Sequence, residues 1–276
     1  MDFMYCEYLK QAAASSDPME RLKYTTAFLI SGMHIGITSC AGLGPLNPIL
    51  GETLHAKKED GTVLYCEQTC HHPPISSWEM FGPGYYFSGH GKTVAGINGP
   101  NSLHASRVGV NQVVFDDESI ISFENPDMQV DGLLVGDRIA NFVGSFIVDY
   151  ETHDMYAEVT INPKPKKFLG IFGKKSKLPS DHLVINFYQR DGKKPKLLSS
   201  GKGSWLEDLE FDDCGEVWNI FEPQDEWEYI PNLPSDSSFR PDLCMLVEKN
   251  IEEAQIQKDK VENLQRADKA LREKHR

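Results

Sequence analysis

Glu67-Gln68-Thr69-Cys70-His71-His72-Pro73-Pro74 sets two adjacent imidazoles against two adjacent prolines. A strand-like run, Val63-Leu64-Tyr65, leads into it, and Ile75-Ser76-Ser77-Trp78 leads out. Proline fixes φ and offers no N–H to a sheet ladder. The histidines are therefore expected at a stiff break between two strands, at the edge or rim of a sheet. Imidazoles held together there can bind a metal, exchange protons, or hold an anion while protonated.

On both sides of this break the chain reads as short strands separated by turns. Thr62–Glu67, Tyr85–Val94, Gln112–Phe115, Ser119–Phe123, Arg138–Tyr150, Tyr156–Ile161, His182–Tyr188 and Glu216–Phe221 have strand character. Asp60-Gly61, Gly82-Pro83-Gly84, Asn98-Gly99-Pro100, Asn125-Pro126, Asp131-Gly132 and Asp191-Gly192 supply turn signals. Hairpin turns without interleaved helices predict a mainly β chain, an antiparallel sandwich or barrel. The long 138–150 run suits one strand of a large curved sheet. Pro45, Pro48 and Gly51 mark 40–52 as a connector.

Helices are expected only at the two ends. Residues 3–14 read as a short helix and 18–35 as a second. Asp17 is placed to cap the second, with Pro18 at its first position and Glu20 completing a capping box. From Leu243 onward neither Gly nor Pro occurs, which predicts one polar helix to the end.

The chain has 276 residues, 40% hydrophobic and 25% charged, enough for a sizeable core. A formal net charge of −13 argues against nucleic acid as a partner. No apolar run approaches the roughly 20 residues of a membrane-spanning helix. Neither a signal peptide nor a disulfide pattern is visible among the six cysteines, which predicts a cytoplasmic protein with reduced thiols.

Three chemistries compete for the histidines. Strand alternation would let Cys66, Cys70 and His72 converge on a zinc ion, a remote enzymatic alternative. Zinc sites usually add a second, well-separated ligand pair, and none is present. Cys70 and His71 would point to opposite faces, a poor nucleophile–base pair, and no phosphate-loop, dinucleotide or nucleophile-elbow motif occurs. Anion binding has more support. Lys258, Glu262 and Arg266 follow at i, i+4 and i+8, so they share a helix face, and Glu262 can hold both cations. Such a fork suits a phosphate.

Glu67 to Pro74 resembles the E-Q-V-S-H-H-P-P signature of the oxysterol-binding protein-related lipid carriers. Pro45-Leu46-Asn47-Pro48-Ile49-Leu50-Gly51-Glu52-Thr53 is similar to the family's K-P-x-N-P-x-L-G-E-T. Asp17-Pro18-Met19-Glu20-Arg21, Phe239-Arg240-Pro241-Asp242 and the Lys258, Glu262, Arg266 run fit further family blocks in the same order. The resemblance implies a large, curved, near-closed antiparallel barrel around an apolar lipid tunnel, with N-terminal helices and a C-terminal helix. It implies one lipid-binding domain over 1–276, without the family's N-terminal lid and part of its C-terminal tail. It implies a carrier rather than an enzyme, with no cofactor. Phosphatidylinositol 4-phosphate would be held through its phosphate by His71, His72, Lys258 and Arg266. Glu262 would orient the cations and Asn47 would lie near the inositol. Sterol or phosphatidylserine would be the exchanged lipid, and a sensor or scaffold without net transfer is the alternative.

Gly44 stands where the family has a basic residue, leaving Lys10, Arg21 and Lys23 as candidates to replace it. Residues 163–180 gather six lysines around four large apolar residues. Lys166, Lys167, Phe168, Phe172, Lys174 and Lys175 are thus candidates for docking on an anionic membrane, which would make the protein peripheral. Glu210-Phe211-Asp212-Asp213-Cys214-Gly215-Glu216 resembles the two-phenylalanine acidic motif that docks endoplasmic-reticulum anchor proteins, with one phenylalanine in place of two. Its turn signals favour a hairpin between the strands at Trp205 and at Val217-Trp218.

Overall fold

The computed structural model describes residues 3–38, 47–163, 179–192 and 194–275. Helices α1 (Glu7–Ala14) and α2 (Pro18–Thr38) come first, and α3 (Pro241–Val247) and α4 (Ile251–Lys274) come last. Between them run β1 (Thr53–Lys57), β2 (Val63–His71), β3 (Pro74–Gly82), β4 (Tyr85–Ile97), β5 (Ser102–Val108), β6 (Val110–Phe115), β7 (Ile120–Glu124) and β8 (Asp127–Asp131). They are followed by β9 (Ile139–Val143), β10 (Ser145–Tyr150), β11 (Met155–Ile161), β12 (His182–Gln189), β13 (Lys196–Ser204), β14 (Asp208–Phe211), β15 (Gly215–Asn219) and β16 (Glu228–Tyr229).

These strands form one antiparallel sheet in the order β15-β14-β13-β12-β11-β10-β7-β6-β4-β3-β2-β1-β16. Short turns between sequential strands make most of these neighbours hairpins, as the Gly, Pro and Asn positions predict. A branch leaves this path at β4. Its first half, Tyr85–Gly89, pairs with β6, and its second half, Lys92–Ile97, pairs with β5, which continues to β8 and β9.

The sheet curls into a near-closed barrel around the N-terminal segment. The Tyr8 hydroxyl donates to the Val217 carbonyl at 2.9 Å, on β15. The Lys58 ammonium, next to β1, donates to the Met4 carbonyl at 3.2 Å. One short segment thus touches both ends of the strand order. Phe3 meets Trp78 and Phe87 edge-on at 6.0 and 6.2 Å, and Tyr5 meets Trp218 at 5.7 Å. From Arg21 to Met33 nearly every residue of α2 is buried. Leu22, Ala27, Phe28, Leu29 and Ile30 supply apolar surface around its circumference, and the buried hydroxyls of Thr25, Thr26 and Ser31 donate to carbonyls of the helix itself.

The cap of α2 is more elaborate than the expected box. Asp17 accepts from the Met19 amide at 2.9 Å. Glu20 reaches Ser15 rather than the Asp17 amide: Ser15 Oγ donates to Glu20 at 2.8 Å and accepts from the Asp17 N–H at 3.1 Å.

The candidates to replace the missing cation are engaged elsewhere. Buried Arg21 donates to Asp117 (2.6 Å), Ser119 (2.9 Å) and the Ser15 carbonyl (2.9 Å), and covers the Phe115 ring at 4.5 Å. The Ser119 hydroxyl and the Arg21 guanidinium hold the Asp117 carboxyl well below the usual range. Lys23 pairs with Asp213, and Lys10 with Glu7 and Asp60. An uncompensated buried charge is costly, so Arg21 and Lys23 belong to the fold, while Lys10 is held by ion pairs at the surface.

Two expected elements are divided. Gly144, at φ +88°, breaks the 138–150 run, so that β9 pairs with β8 while β10 pairs with β7 and β11. The predicted single C-terminal helix is α3 and α4, separated where Lys249 takes φ +61°. Amides of Lys249 and Asn250 bond back to the carbonyls of Leu246 and Met245, a helix-terminating pattern, and the Asn250 side chain caps α4 at the Glu253 amide. Glu210 to Glu216 forms the β14–β15 hairpin, as its turn signals predict.

Candidate functional site

The paired histidines sit at the tip of the β2–β3 hairpin. His71 lies opposite Pro74 in the ladder, which leaves His72 and Pro73, joined by a cis peptide, as the turn. Because β2 is flanked by β1 and β3, the pair is at a rim of the sheet and not along an edge. The ladder slips between Gln68 and Cys70, leaving Thr69 as a bulge before the histidines. The rings meet edge-on with centroids 4.6 Å apart; His71 is half-buried and His72 exposed. Nδ1 of His71 is buried, and the ring faces the Pro48 backbone.

The loop carrying Asn47 is laced to this hairpin. The Gly51 amide donates to the Gln68 carbonyl at 2.8 Å, and the Gln68 amide to the Glu52 carbonyl at 2.9 Å. Arg240, at the start of α3, holds the loop from the other side. Its Nη1 donates to the Asn47 carbonyl (3.0 Å) and to Glu52 (2.8 Å), while Nη2 and Nε grip Asp242 at 2.6 and 3.0 Å. The three side chains are 7%, 8% and 1% exposed. Burial pushes the Asp242 carboxyl up, but its bonds to Arg240 outweigh this and leave it lowered. Through this knot β2, the Asn47 loop and α3 share one frame, and α4 continues from α3.

On α4, Glu262 joins Lys258 at 3.5 Å and Arg266 at 3.0 Å, the arrangement that the i, i+4, i+8 spacing predicts. Ala254, Gln257, Lys258, Val261, Glu262 and Gln265 form its more buried face, so Lys258 and Glu262 turn inward while Arg266 is 68% exposed. Burial and then His72 push the His71 imidazole down; the Pro48 backbone and Glu262 pull it up, and Lys269 pushes it down again. The net direction is down. Two charges of α4, Glu262 and Lys269, therefore act on His71, although more than 190 residues separate them from it in sequence.

Sequence reasoning missed two residues here. Lys269 follows Lys258 by eleven positions, about three helical turns, so the spacing argument that grouped Lys258, Glu262 and Arg266 could have added it. Arg240 was visible only as part of a motif block, since nothing local shows that a surface-type side chain is buried. Gly44 and the membrane candidates Lys166, Lys167, Phe168, Phe172, Lys174 and Lys175 lie outside the described residues.

Other chemistries find less support in the geometry. Among the described residues no group of three His, Cys, Asp or Glu side chains is arranged to hold a metal ion, and Cys66, Cys70 and His72 form no such group. The Thr69 bulge interrupts the alternation on which their convergence depended. His104, Ser106 and Asp127 cluster on the branch sheet, but Ser106 donates to Asp127 at 2.6 Å and meets the same His104 nitrogen that faces Asp127. A proton relay needs opposite nitrogens of the ring.

An apolar cavity of about 140 Å³ lies between the end of α2 and the branch sheet, lined by Leu29, Met33, Ala105, Met128 and Phe142 among others. It is smaller than the roughly 300–1,000 Å³ of pockets that enclose a drug-sized ligand. No helix among the described residues is long and apolar enough to cross a membrane.

Comparisons with known proteins agree with this architecture. The family model described as oxysterol-binding protein matches residues 1–226. Oxysterol-binding protein 9 of Dictyostelium discoideum is 34% identical over 95% of this chain and 64% of its own length. Human oxysterol-binding protein-related protein 3 is 28% identical over 95% of this chain and 31% of its own length. The chain thus spans less than two thirds of these relatives. Among solved structures, the Osh3 ORD of Saccharomyces cerevisiae in complex with PI(4)P superposes with a TM-score of 0.80 at 22% identity, covering 99% of this chain and 75% of that one. The Osh1 ORD domain in complex with cholesterol gives 0.78 at 22% identity, over 99% and 72%. With its sheet order, its histidine hairpin and a family match over most of its length, this chain belongs to the oxysterol-binding protein family.

Proposed function

We propose that the chain is a lipid-binding and lipid-transfer domain spanning 1–276, not an enzyme, which holds phosphatidylinositol 4-phosphate by its headgroup. His71, His72, Lys258 and Arg266 would contact the phosphate, Glu262 would orient the two cations, and Asn47 would border the inositol. The observation that supports this reading is that Glu262, which pairs with Lys258 and Arg266, also acts on His71. A phosphate supplies acceptors and favours the protonated ring. Acyl chains would enter the apolar cavity beside α2, and a sterol or phosphatidylserine would compete for the same space. The Osh3 and Osh1 complexes with PI(4)P and cholesterol support both ligand classes by analogy of fold. The small cavity favours a second reading, a sensor that grips the headgroup without carrying the lipid away.

The test is extraction of phosphatidylinositol 4-phosphate from liposomes, followed by transfer to a second liposome population. Wild-type protein should extract, and His71→Ala with His72→Ala should not while remaining folded. Equal extraction by both would refute the headgroup site. Extraction without net transfer would select the sensor.

A further inference from the structure

The loop between β8 and β9 holds Leu133-Leu134-Val135 between Gly132 and Gly136, both at positive φ. Leu134 is 76% and Val135 78% exposed. Leu133 is half-buried, so Leu134 and Val135 are the aliphatic side chains that the loop turns toward solvent. Beside them stands the tip of the β4–β5 hairpin, where Ile97 is 82% exposed, and Val94 and Ile139 are also exposed. From Thr93 to Leu103 no side chain is charged, although Thr93 to Pro100 are all exposed and a quarter of the whole chain is charged.

One side chain welds the two tips together. Asn101 Oδ1 accepts from the amides of Leu134 (2.8 Å) and Val135 (3.0 Å), and its Nδ2 donates to the Val135 carbonyl (2.9 Å). The Leu133 amide donates to the Asn101 carbonyl. The amides of Leu133, Leu134 and Val135 and the Val135 carbonyl are thereby satisfied internally, without water. A segment entering a low-dielectric layer must meet that requirement, because an unpaired peptide group there costs several kcal/mol. A loop facing water need not meet it.

We propose that the tips at 97–101 and 133–135 form a wedge that inserts into the surface of a lipid bilayer. The occupant follows from three observations. The wedge is made of two projecting loop tips, and a deformable bilayer accepts these without a matching groove. Its projecting residues, Ile97 to Asn101 and Leu133 to Val135, carry no charge, while Asp137 and Arg138, exposed at the far end of the same loop, would stay at the level of the headgroups. The wedge also belongs to the branch sheet whose Ala105, Met128 and Phe142 line the apolar cavity, so lipid at the wedge lies along the wall a carried lipid would enter. The last point rests on the lipid-binding reading above; the first two do not.

The experiment uses vesicles of phosphatidylcholine alone, which read docking without the phosphoinositide site. Wild-type protein should co-sediment with them, and Leu134→Asp with Val135→Asp should lower the partition coefficient about tenfold or more. Both substituted positions are exposed, so folding should be kept. Binding of a water-soluble short-chain phosphatidylinositol 4-phosphate, measured without vesicles, should be equal in the two proteins. Leu134→Trp should show a blue-shifted emission on adding vesicles. Equal partitioning of wild type and variant, or an unshifted emission, would overturn the wedge. So would loss of a wild-type dimer in the variant, which would assign the patch to a second copy of the chain. Failure of wild type to bind the short-chain lipid would instead count against the headgroup site, while the phosphatidylcholine arm still decides the wedge.

Discussion

Two clusters in this molecule share one recipe, a carboxylate joined to cations, and put it to opposite uses. Arg240 with Glu52 and Asp242 is almost fully enclosed. Glu262 with Lys258 and Arg266 lies on an open helix face, where the side chains are 40%, 32% and 68% exposed. In the enclosed cluster four of the five guanidinium donors are spent on fixed partners, which ties the Asn47 loop to α3. In the open cluster the ion pairs are screened and add little stability. Its cations keep donors for a ligand, and Glu262 restrains them. Burial, more than residue type, separates the structural knot from the proposed binding fork.

The largest test of this contrast is Arg240→Met. Breaking a buried ion network leaves uncompensated carboxylates and should cost about 3–5 kcal/mol. Urea denaturation should show it as a lower midpoint; a loss under about 1 kcal/mol would erase the distinction. Next comes His71→Ala with His72→Ala. Removing two charge-assisted contacts should weaken headgroup binding by about 2–4 kcal/mol, roughly 30- to 1,000-fold, with little change in denaturation midpoint. A matching drop in stability would mean that the hairpin tip is structural, like Arg240.

Glu262→Ala should change stability by less than about 0.5 kcal/mol. Headgroup affinity, measured by calorimetry, should fall by about 1 kcal/mol, since the cations lose their restraint. A tighter complex would show that Glu262 competes with the ligand instead of orienting the fork. The smallest effect concerns pH. Burial and His72 lower the His71 pKa in the folded protein. Its contribution to stability is therefore present above the unfolded value near 6.5 and is lost as pH falls through the lower folded value. Binding of a phosphate pulls the other way, so it should take up a proton. Affinity should rise a fewfold as pH drops from about 7.5 to 6.5, and calorimetry in buffers of different ionisation enthalpy should detect the uptake. Proton release on binding would contradict the placement of His71 against the phosphate.

Local signals carried much of this far. Pro73 and Pro74 marked the hairpin tip because proline restricts its own φ whatever surrounds it. Asp17 and Pro18 marked the start of α2, since capping is settled within one helical turn. The spacing of Lys258, Glu262 and Arg266 placed them on one face, as helix geometry requires. The branch at β4 had no local sign. Nothing in Tyr85–Ile97 announces that its halves pair with different strands, because pairing is fixed by the partners as well as by the strand. The breaks at Gly144 and Lys249 were equally silent. Glycine permits a left-handed φ without demanding it, and the exposed lysine at φ +61° is held there by the backbone bonds that close α3.

The sequence alone therefore determined the strand-and-turn character of the chain, its two helical ends, the histidine hairpin and the charged face of α4. Each follows from dihedral limits or side-chain periodicity acting over a few residues. Tertiary structure decided that Arg21, Lys23 and Arg240 serve the fold rather than a ligand, and that α4 reaches the hairpin tip. It also decided that Asn101 joins two distant loops. Those outcomes depend on which surfaces are taken out of water together, and burial is a property of the folded chain as a whole.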